Sequence, residues 1–180
     1  MSITLPPLSL VIGGASSGKS AFAERLLRAT GRPLTYIATA QAHDDEMAQK
    51  IAAHQVRRGV GWTTVEAPLD IVPPLQEAGA ESAVLVDCAT LWLANHLMAE
   101  SDLAMEETRL LQGLHSCAAP VVVVTNEVGQ GVVPAHASGR QFRNAQGRLN
   151  QSLAAQAGLV VLVVAGLPMV LKGTLPEGFS

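Results

Sequence analysis

The sequence predicts an α/β domain with a mostly parallel sheet and helices on both faces, and three observations carry that prediction. Strand-sized apolar runs alternate with helical stretches along the chain. Gly13-Gly14-Ala15-Ser16-Ser17-Gly18-Lys19-Ser20 satisfies the P-loop pattern G-x-x-x-x-G-K-[ST] in full, between an apolar run and a helical stretch. A further apolar run, Ala83-Val84-Leu85-Val86, ends on the acid Asp87. With 180 residues, no internal repeat and no linker-like tract, residues 1–180 read as a single domain.

Leu8–Ile12 is the first strand and Ala21–Leu27 the helix after the loop. The glycines let the backbone turn its N–H groups inward, and the helix dipole adds positive potential, so the segment is an anion cradle. Lys19 is placed to reach the outer phosphates of a nucleoside triphosphate, and the Ser20 hydroxyl is placed to meet Mg²⁺. Leu34–Ala38 is the second strand. It delivers Thr39 and Ala40 to the carboxyl edge of the sheet, where open α/β sheets bind ligands.

Asp44-Asp45-Glu46 suits a helix N-terminus, and the helix runs to about Arg58. His54 lies at one edge of its apolar stripe, with Lys50, Arg57 and Arg58 at i−4, i+3 and i+4. Neighbouring cations disfavour the imidazolium, which keeps such a histidine neutral and nucleophilic. An amphipathic helix with a solvated basic side shows the same spacing.

Trp62–Glu66 alternates as a short strand and stops at Pro68. Leu69 to about Ala78 reads as a helix weakened by Pro73 and Pro74. The terminal carboxylate of Ala83–Asp87 is a candidate Mg²⁺ ligand. Thr90, Trp92 and Asn95 begin a helix, with Trp92 assigned to the core. Ser101-Asp102 caps another that runs to about Cys117. Val121–Thr125 is β-branched throughout and reads as a central, two-sided strand. The glycine-punctuated loop from Asn126 to Pro134 follows at the ligand edge, with Asn126 and Glu127 as candidates for substrate contact. Ala137 to about Ala157 is helical. Phe142, Gln146, Leu149 and Leu153 trace one side, and Arg140 and Arg143 trace another, suited to substrate phosphates or to surface ion pairs. Leu159–Val164 is the last strand, ended by Gly166-Leu167-Pro168, with an irregular tail from Lys172. The sheet should hold about five or six strands.

Apolar residues make up 48% and aromatics only 3%, so the core should be aliphatic. The formal charge of −3 and the lack of any Lys/Arg block argue against nucleic acid as the main partner. No apolar run is long enough to span a membrane, and the N-terminus shows no signal-peptide pattern. Cys88 and Cys117 sit in or beside apolar runs without a CxxC spacing and read as buried free thiols. A cytoplasmic protein is expected. A signalling-type GTPase is not, because the segment Asn126-Glu127-Val128-Gly129 lacks the Lys and Asp of N-K-x-D.

Several blocks together resemble the bifunctional adenosylcobinamide kinase/adenosylcobinamide-phosphate guanylyltransferases of cobalamin biosynthesis. They are the P-loop, Tyr36–Ala40, Asp44–Met47, Ile51–His54, Trp62–Glu66, Val86–Leu93, Thr125–Pro134, Arg140–Arg143 and Gly147–Gln151. The block N-E-V-G-x-G-[IV]-V-P is the most specific. The resemblance implies a RecA-like P-loop NTPase fold, a homotrimer, and two reactions. A nucleoside triphosphate, ATP or GTP, phosphorylates adenosylcobinamide; GTP then supplies GMP, carried on a histidine, to give adenosylcobinamide-GDP and pyrophosphate. The matching histidine is His54. The implied GTP contacts are Gly13 to Ser20, Ala38, Thr39, Gln55, Val56, Arg57, Arg58, Glu66 and Asp87. Asn144 and Ala89 depart from the usual family pattern. A small-molecule kinase without guanylyl transfer, in which His54 is structural, and a nucleotide-switched binding module share the same P-loop.

Overall fold

In the computed structural model, which describes residues 2–41, 45, 49, 52, 56 and 59–179, one seven-stranded sheet organises the chain. Its strands are β1 (Leu8–Gly13), β2 (Leu34–Ala38), β3 (Trp62–Glu66), β4 (Ala83–Asp87), β5 (Val121–Asn126), β6 (Leu159–Val164) and β7 (Leu167–Lys172). The order is β3-β2-β4-β5-β1-β6-β7; all neighbours are parallel except β6 and β7. The helices are α1 (Lys19–Arg28), α2 (Val72–Glu77), α3 (Ala89–Met98), α4 (Leu103–Ser116) and α5 (Ala137–Gln156). Asp45, Gln49, Ala52 and Val56 are helical and exposed. The rest of the 42–58 segment, including His54, lies outside the described residues.

Connection handedness sorts the helices. The step from β1 to β2 crosses the sheet one way, whereas β3→β4, β4→β5 and β5→β6 return the other way. Right-handed crossovers therefore put α1 on one face and α2–α5 on the other. The two cores agree. Phe22, Ala23, Leu26 and Leu27 of α1 pack on Val11, Leu85, Val122, Val124, Val161 and Val163. Leu75, Trp92, Leu110, Leu114, Leu149 and Leu153 pack on Leu10, Ile12, Val84, Val86, Val121 and Val123. Alternate residues of β5 thus serve opposite cores, as its β-branched run requires.

Three expectations need correction, the first being the strand count, which is seven rather than five or six. The chain does not leave the sheet at Gly166-Leu167-Pro168; it turns there. Ala165 (φ 52°) and Gly166 (φ 80°) take left-handed conformations that suit a tight hairpin, and β7 adds an antiparallel edge. Pro168 is tolerated because an edge strand has one side without a partner. The chain becomes irregular only from Gly173, and its Leu175 and Phe179 pack against the α1 side. The helix expected over Leu69–Ala78 is the shorter α2, with proline in its first turn where a missing N–H costs nothing.

Candidate nucleotide site at the carboxyl edge of the sheet

The P-loop leaves β1 at Gly13, and its shape depends on two close approaches. A Cβ on Gly13 would collide with Ser17 Oγ and lie 2.7 Å from the Val163 carbonyl oxygen. Gly18 has φ 92° and would meet Gly166 Cα at 3.2 Å. The backbone turns within the loop through Ser17 N–H donating to Gly14 O at 3.3 Å. The hairpin between β6 and β7 holds the loop from outside, with Gly166 N–H donating to Ser17 O at 2.8 Å. Outward carbonyls are thereby satisfied, and α1 starts directly at Lys19 with Phe22 N–H donating to Gly18 O. Lys19 Nζ donates to Gly14 O at 3.1 Å, folding the ammonium back over the loop. Burial lowers its pKa below the ordinary lysine value, against the attraction of Cys88 and Asp87. Ser20 is buried at the base of the cradle.

The adjacent strands β1 and β5 stay paired to their ends, but the chain leaves β1 toward α1 on one face and β5 toward α5 on the other, which is the switch point where open α/β sheets bind ligands. Strand β5 stands between β1 and β4, so Asn126 and Glu127 emerge between the P-loop and Asp87. Register sets the rest of the edge: Glu66, Ala38 and Asp87 lie abreast at the ends of β3, β2 and β4. Tyr36 donates its phenolic O–H to Asp87 Oδ2 at 3.1 Å, fixing one carboxylate oxygen.

The sequence profile of the cobinamide kinase / cobinamide phosphate guanyltransferase family matches residues 9–171. The chain belongs to that family. The bifunctional adenosylcobalamin biosynthesis protein CobP of Pseudomonas aeruginosa is 44% identical over 167 residues, covering 91% of this chain and 96% of its own. The bifunctional adenosylcobalamin biosynthesis protein CobU of Salmonella typhimurium is 42% identical over 180 residues, covering 91% and 98%. In fold alone, the chain is similar to the flagellar accessory protein FlaH of Methanocaldococcus jannaschii, with a TM-score of 0.51 at 14% identity, covering 94% of this chain and 82% of that one.

In this member of the cobinamide kinase / guanyltransferase family, the P-loop, Ala38, Asp87 and Glu66 share one sheet edge. Thr39 lies there too, but its side chain is committed elsewhere. It is fully buried, its hydroxyl donates to Cys88 O at 2.8 Å, and the same oxygen accepts from Cys88 N–H at 2.7 Å. Its role is to clip β2 to the end of β4, and its hydroxyl is closed to a nucleotide. Val56 is helical and 83% exposed. His54, Gln55, Arg57 and Arg58 fall outside the described residues. Arg140 donates to the Pro134 and Ala135 carbonyls at 3.0 and 2.7 Å, bracing the loop, and forms no ion pair among the described residues. Glu127 accepts from Gly129 N–H at 2.5 Å and turns its own loop.

Sequence reasoning missed the supports behind this edge. Asn95 donates to both Thr39 O and Pro68 O, at 2.8 and 2.9 Å, tying together the segments that leave β2 and β3. Trp92 is buried as expected and donates its indole N–H to Leu69 O at 2.8 Å. Cys88 is a free, buried thiol whose Sγ caps α3. Burial, aided by Asp87, pushes its pKa up to about 12. Gln146, grouped by periodicity with the apolar side of its helix, is fully buried in a polar cluster. A buried Asn or Gln within an apolar helical stripe was the one signal available.

Proposed function

We propose that the chain phosphorylates the aminopropanol hydroxyl of adenosylcobinamide and then guanylylates the resulting phosphate from GTP, in cobalamin biosynthesis. The observation that carries this reading is the P-loop, with Lys19 at the start of α1 and Asp87 at the end of β4, at the open edge of a chain whose family match spans residues 9–171. In the first reaction the substrate hydroxyl oxygen attacks the γ-phosphorus of ATP or GTP, the bond to the β-phosphate oxygen breaks, and the nucleoside diphosphate leaves. Glu127 accepts the hydroxyl proton once its carboxylate releases Gly129. In the second, a His54 ring nitrogen attacks the α-phosphorus of GTP and pyrophosphate leaves. The corrinoid phosphate then breaks the P–N bond and forms the new P–O–P linkage. A covalent intermediate of this kind divides one hard displacement into two easier ones.

Gly13 to Ser20 cradle the phosphates, and Lys19 offsets charge on the leaving group. Gln55, Val56, Arg57 and Arg58 belong to the guanylyl side with His54, and Glu66 and Ala38 to the nucleoside end. The Ser20 hydroxyl and the Asp87 oxygen not used by Tyr36 are hard oxygen donors of the type Mg²⁺ takes beside nucleotide phosphates. When bound, the ion would supply electrostatic stabilisation of phosphate charge. A homotrimer is the assembly the family resemblance implies, and the exposed apolar residues Val164 at the end of β6 and Leu167, Met169, Val170 and Leu171 of β7 support burial against another copy. Among the described residues no helix is long and apolar enough to cross a membrane, which is compatible with a cytoplasmic location.

The test uses GTP labelled at the α-phosphorus with purified protein and Mg²⁺, followed by denaturation. Acid-labile, base-stable label on wild type but not on His54→Ala is expected, together with phosphorylation of adenosylcobinamide by both proteins. Phosphorylation without label would reduce the protein to a kinase. Equal label on both would show that another residue is the nucleophile.

A further inference from the structure

Strand β4 ends at Asp87, opposite Val124, whereas β5 continues to Asn126 alongside β1. Beyond Val124, the side of β5 that faced β4 has no neighbouring strand. A residue's N–H and C=O point to the same side of its strand, so at Asn126 both would be left without a ladder partner, at a cost. Side chains take the place of the missing strand. Asn126 N–H donates to Thr90 Oγ1 at 2.7 Å, and Asn150 Nδ2 donates to Asn126 O at 3.1 Å. On the other side, Glu127 N–H donates to Gly13 O at 3.1 Å, joining this edge to the root of the P-loop.

The groups that hold Asn126 are themselves held in one donor order. Thr125 hydroxyl donates to Asn150 Oδ1 at 2.7 Å. Gln146 Nε2 donates to Thr125 Oγ1 and to Asn150 Oδ1, both at 2.9 Å. Thr90 Oγ1 lies 3.4 Å from Thr125 Oγ1. Because Asn150 Oδ1 receives two donors, its Nδ2 is the atom that faces Asn126 O. All four side chains are buried, and they come from three elements: Thr90 from α3, Thr125 from β5, and Gln146 and Asn150 from α5.

We propose that Thr125, Gln146 and Asn150 are positioning residues for phosphoryl transfer. They extend β5 past β4 and hold Asn126 and Glu127 against the P-loop. This rests on the reading that the corrinoid hydroxyl is phosphorylated at this edge. The cradle that binds nucleotide is built by β1, α1 and the β6–β7 hairpin, so the frame acts on turnover rather than on nucleotide affinity.

The experiment compares Thr125→Val, which keeps shape and loses the hydroxyl, with Thr125→Ser, which keeps the hydroxyl; Asn150→Ala is the third variant. Rates are normalised to nucleotide-binding stoichiometry, so that unfolded protein is not counted. Thr125→Val and Asn150→Ala should lower kcat for phosphorylation by about tenfold or more, with nucleotide KM within about twofold of wild type; Thr125→Ser should restore the rate. Amide exchange at Asn126 and Glu127 should quicken by about tenfold in the first two variants without change in β1. Equal rates in the Val and Ser variants, or wild-type kcat per binding site, would overturn the proposal, as would unchanged exchange at both amides. If wild type phosphorylates no corrinoid, the functional reading fails instead, and the exchange data alone decide whether the frame holds the edge.

Discussion

Replacing Thr39 by valine removes one hydroxyl and almost no volume, and the structure makes the consequence calculable. The Thr39 oxygen both accepts from Cys88 N–H and donates to Cys88 O, in a site with no exposure. Without it, the buried Cys88 N–H loses its acceptor, while Cys88 O keeps the bond it accepts from Trp92 N–H at 3.1 Å. An unsatisfied buried polar group costs about 1–3 kcal/mol, and that is the expected cost of Thr39→Val. For a chain of this size that corresponds to a fall in Tm of about 2–12 °C. Thr39→Ser keeps both bonds and loses one buried methyl, a cost of about 1 kcal/mol. Calorimetry or urea unfolding at one fixed protein concentration measures both variants. Because the clip sets the end of β4, Thr39→Val should also weaken Mg²⁺-nucleotide binding, measured by titration. A Thr39→Val protein within about 0.5 kcal/mol of wild type, or one no worse than Thr39→Ser, would refute the argument.

Lys19→Met should bind nucleotide at least about tenfold more weakly while its Tm in the absence of nucleotide holds or rises, since burial opposes the ammonium. The sign follows: with the folded pKa below 10.5, the unfolded chain binds more protons just below that value, so wild-type stability gains as pH climbs toward 10.5, and Lys19→Met should lose this contribution in pH-dependent melts. With the Cys88 pKa raised from 9.0 to about 12, native protein should leave Cys88 unmodified by a thiol reagent at pH 8, while the half-buried Cys117 reacts slowly and denatured protein titrates both. The raised thiol pKa works against folding above pH 9, where unfolded thiols ionise first, and Cys88→Ala should reduce that alkaline loss. Gly13→Ala should reduce nucleotide affinity by about tenfold or more, because the new methyl meets the Val163 carbonyl and Ser17; unchanged affinity in a binding titration would contradict the close packing described.

The parts of this protein that were legible in the sequence are those whose causes are local. The P-loop is eight consecutive residues, and its glycines, lysine and serine act through backbone turns and a helix start that need no distant partner. Asp102 capping α4 and the two-sided burial of Val121–Val124 were equally readable, because capping and strand period are short-range properties. Pro168 misled because a proline forbids only one hydrogen-bonding side, and no local signal says which strand will be an edge. Thr39, Asn95, Gln146 and Asn150 look like ordinary polar residues along the chain. What they do depends on partners 21 to 56 positions away in sequence.

By itself, then, the sequence determined the fold class, the P-loop and the family, since each rests on local pattern or on matching blocks in order. Tertiary structure alone decided what stands behind the cradle: a β6–β7 hairpin braced on Ser17, a threonine clip between β2 and β4, and a side-chain frame replacing the strand that β5 lacks. The physical reason is that buried hydrogen-bonding groups must find partners wherever the sheet's ragged edge leaves them. That edge is set by where neighbouring strands stop, which becomes visible only when all seven lie side by side.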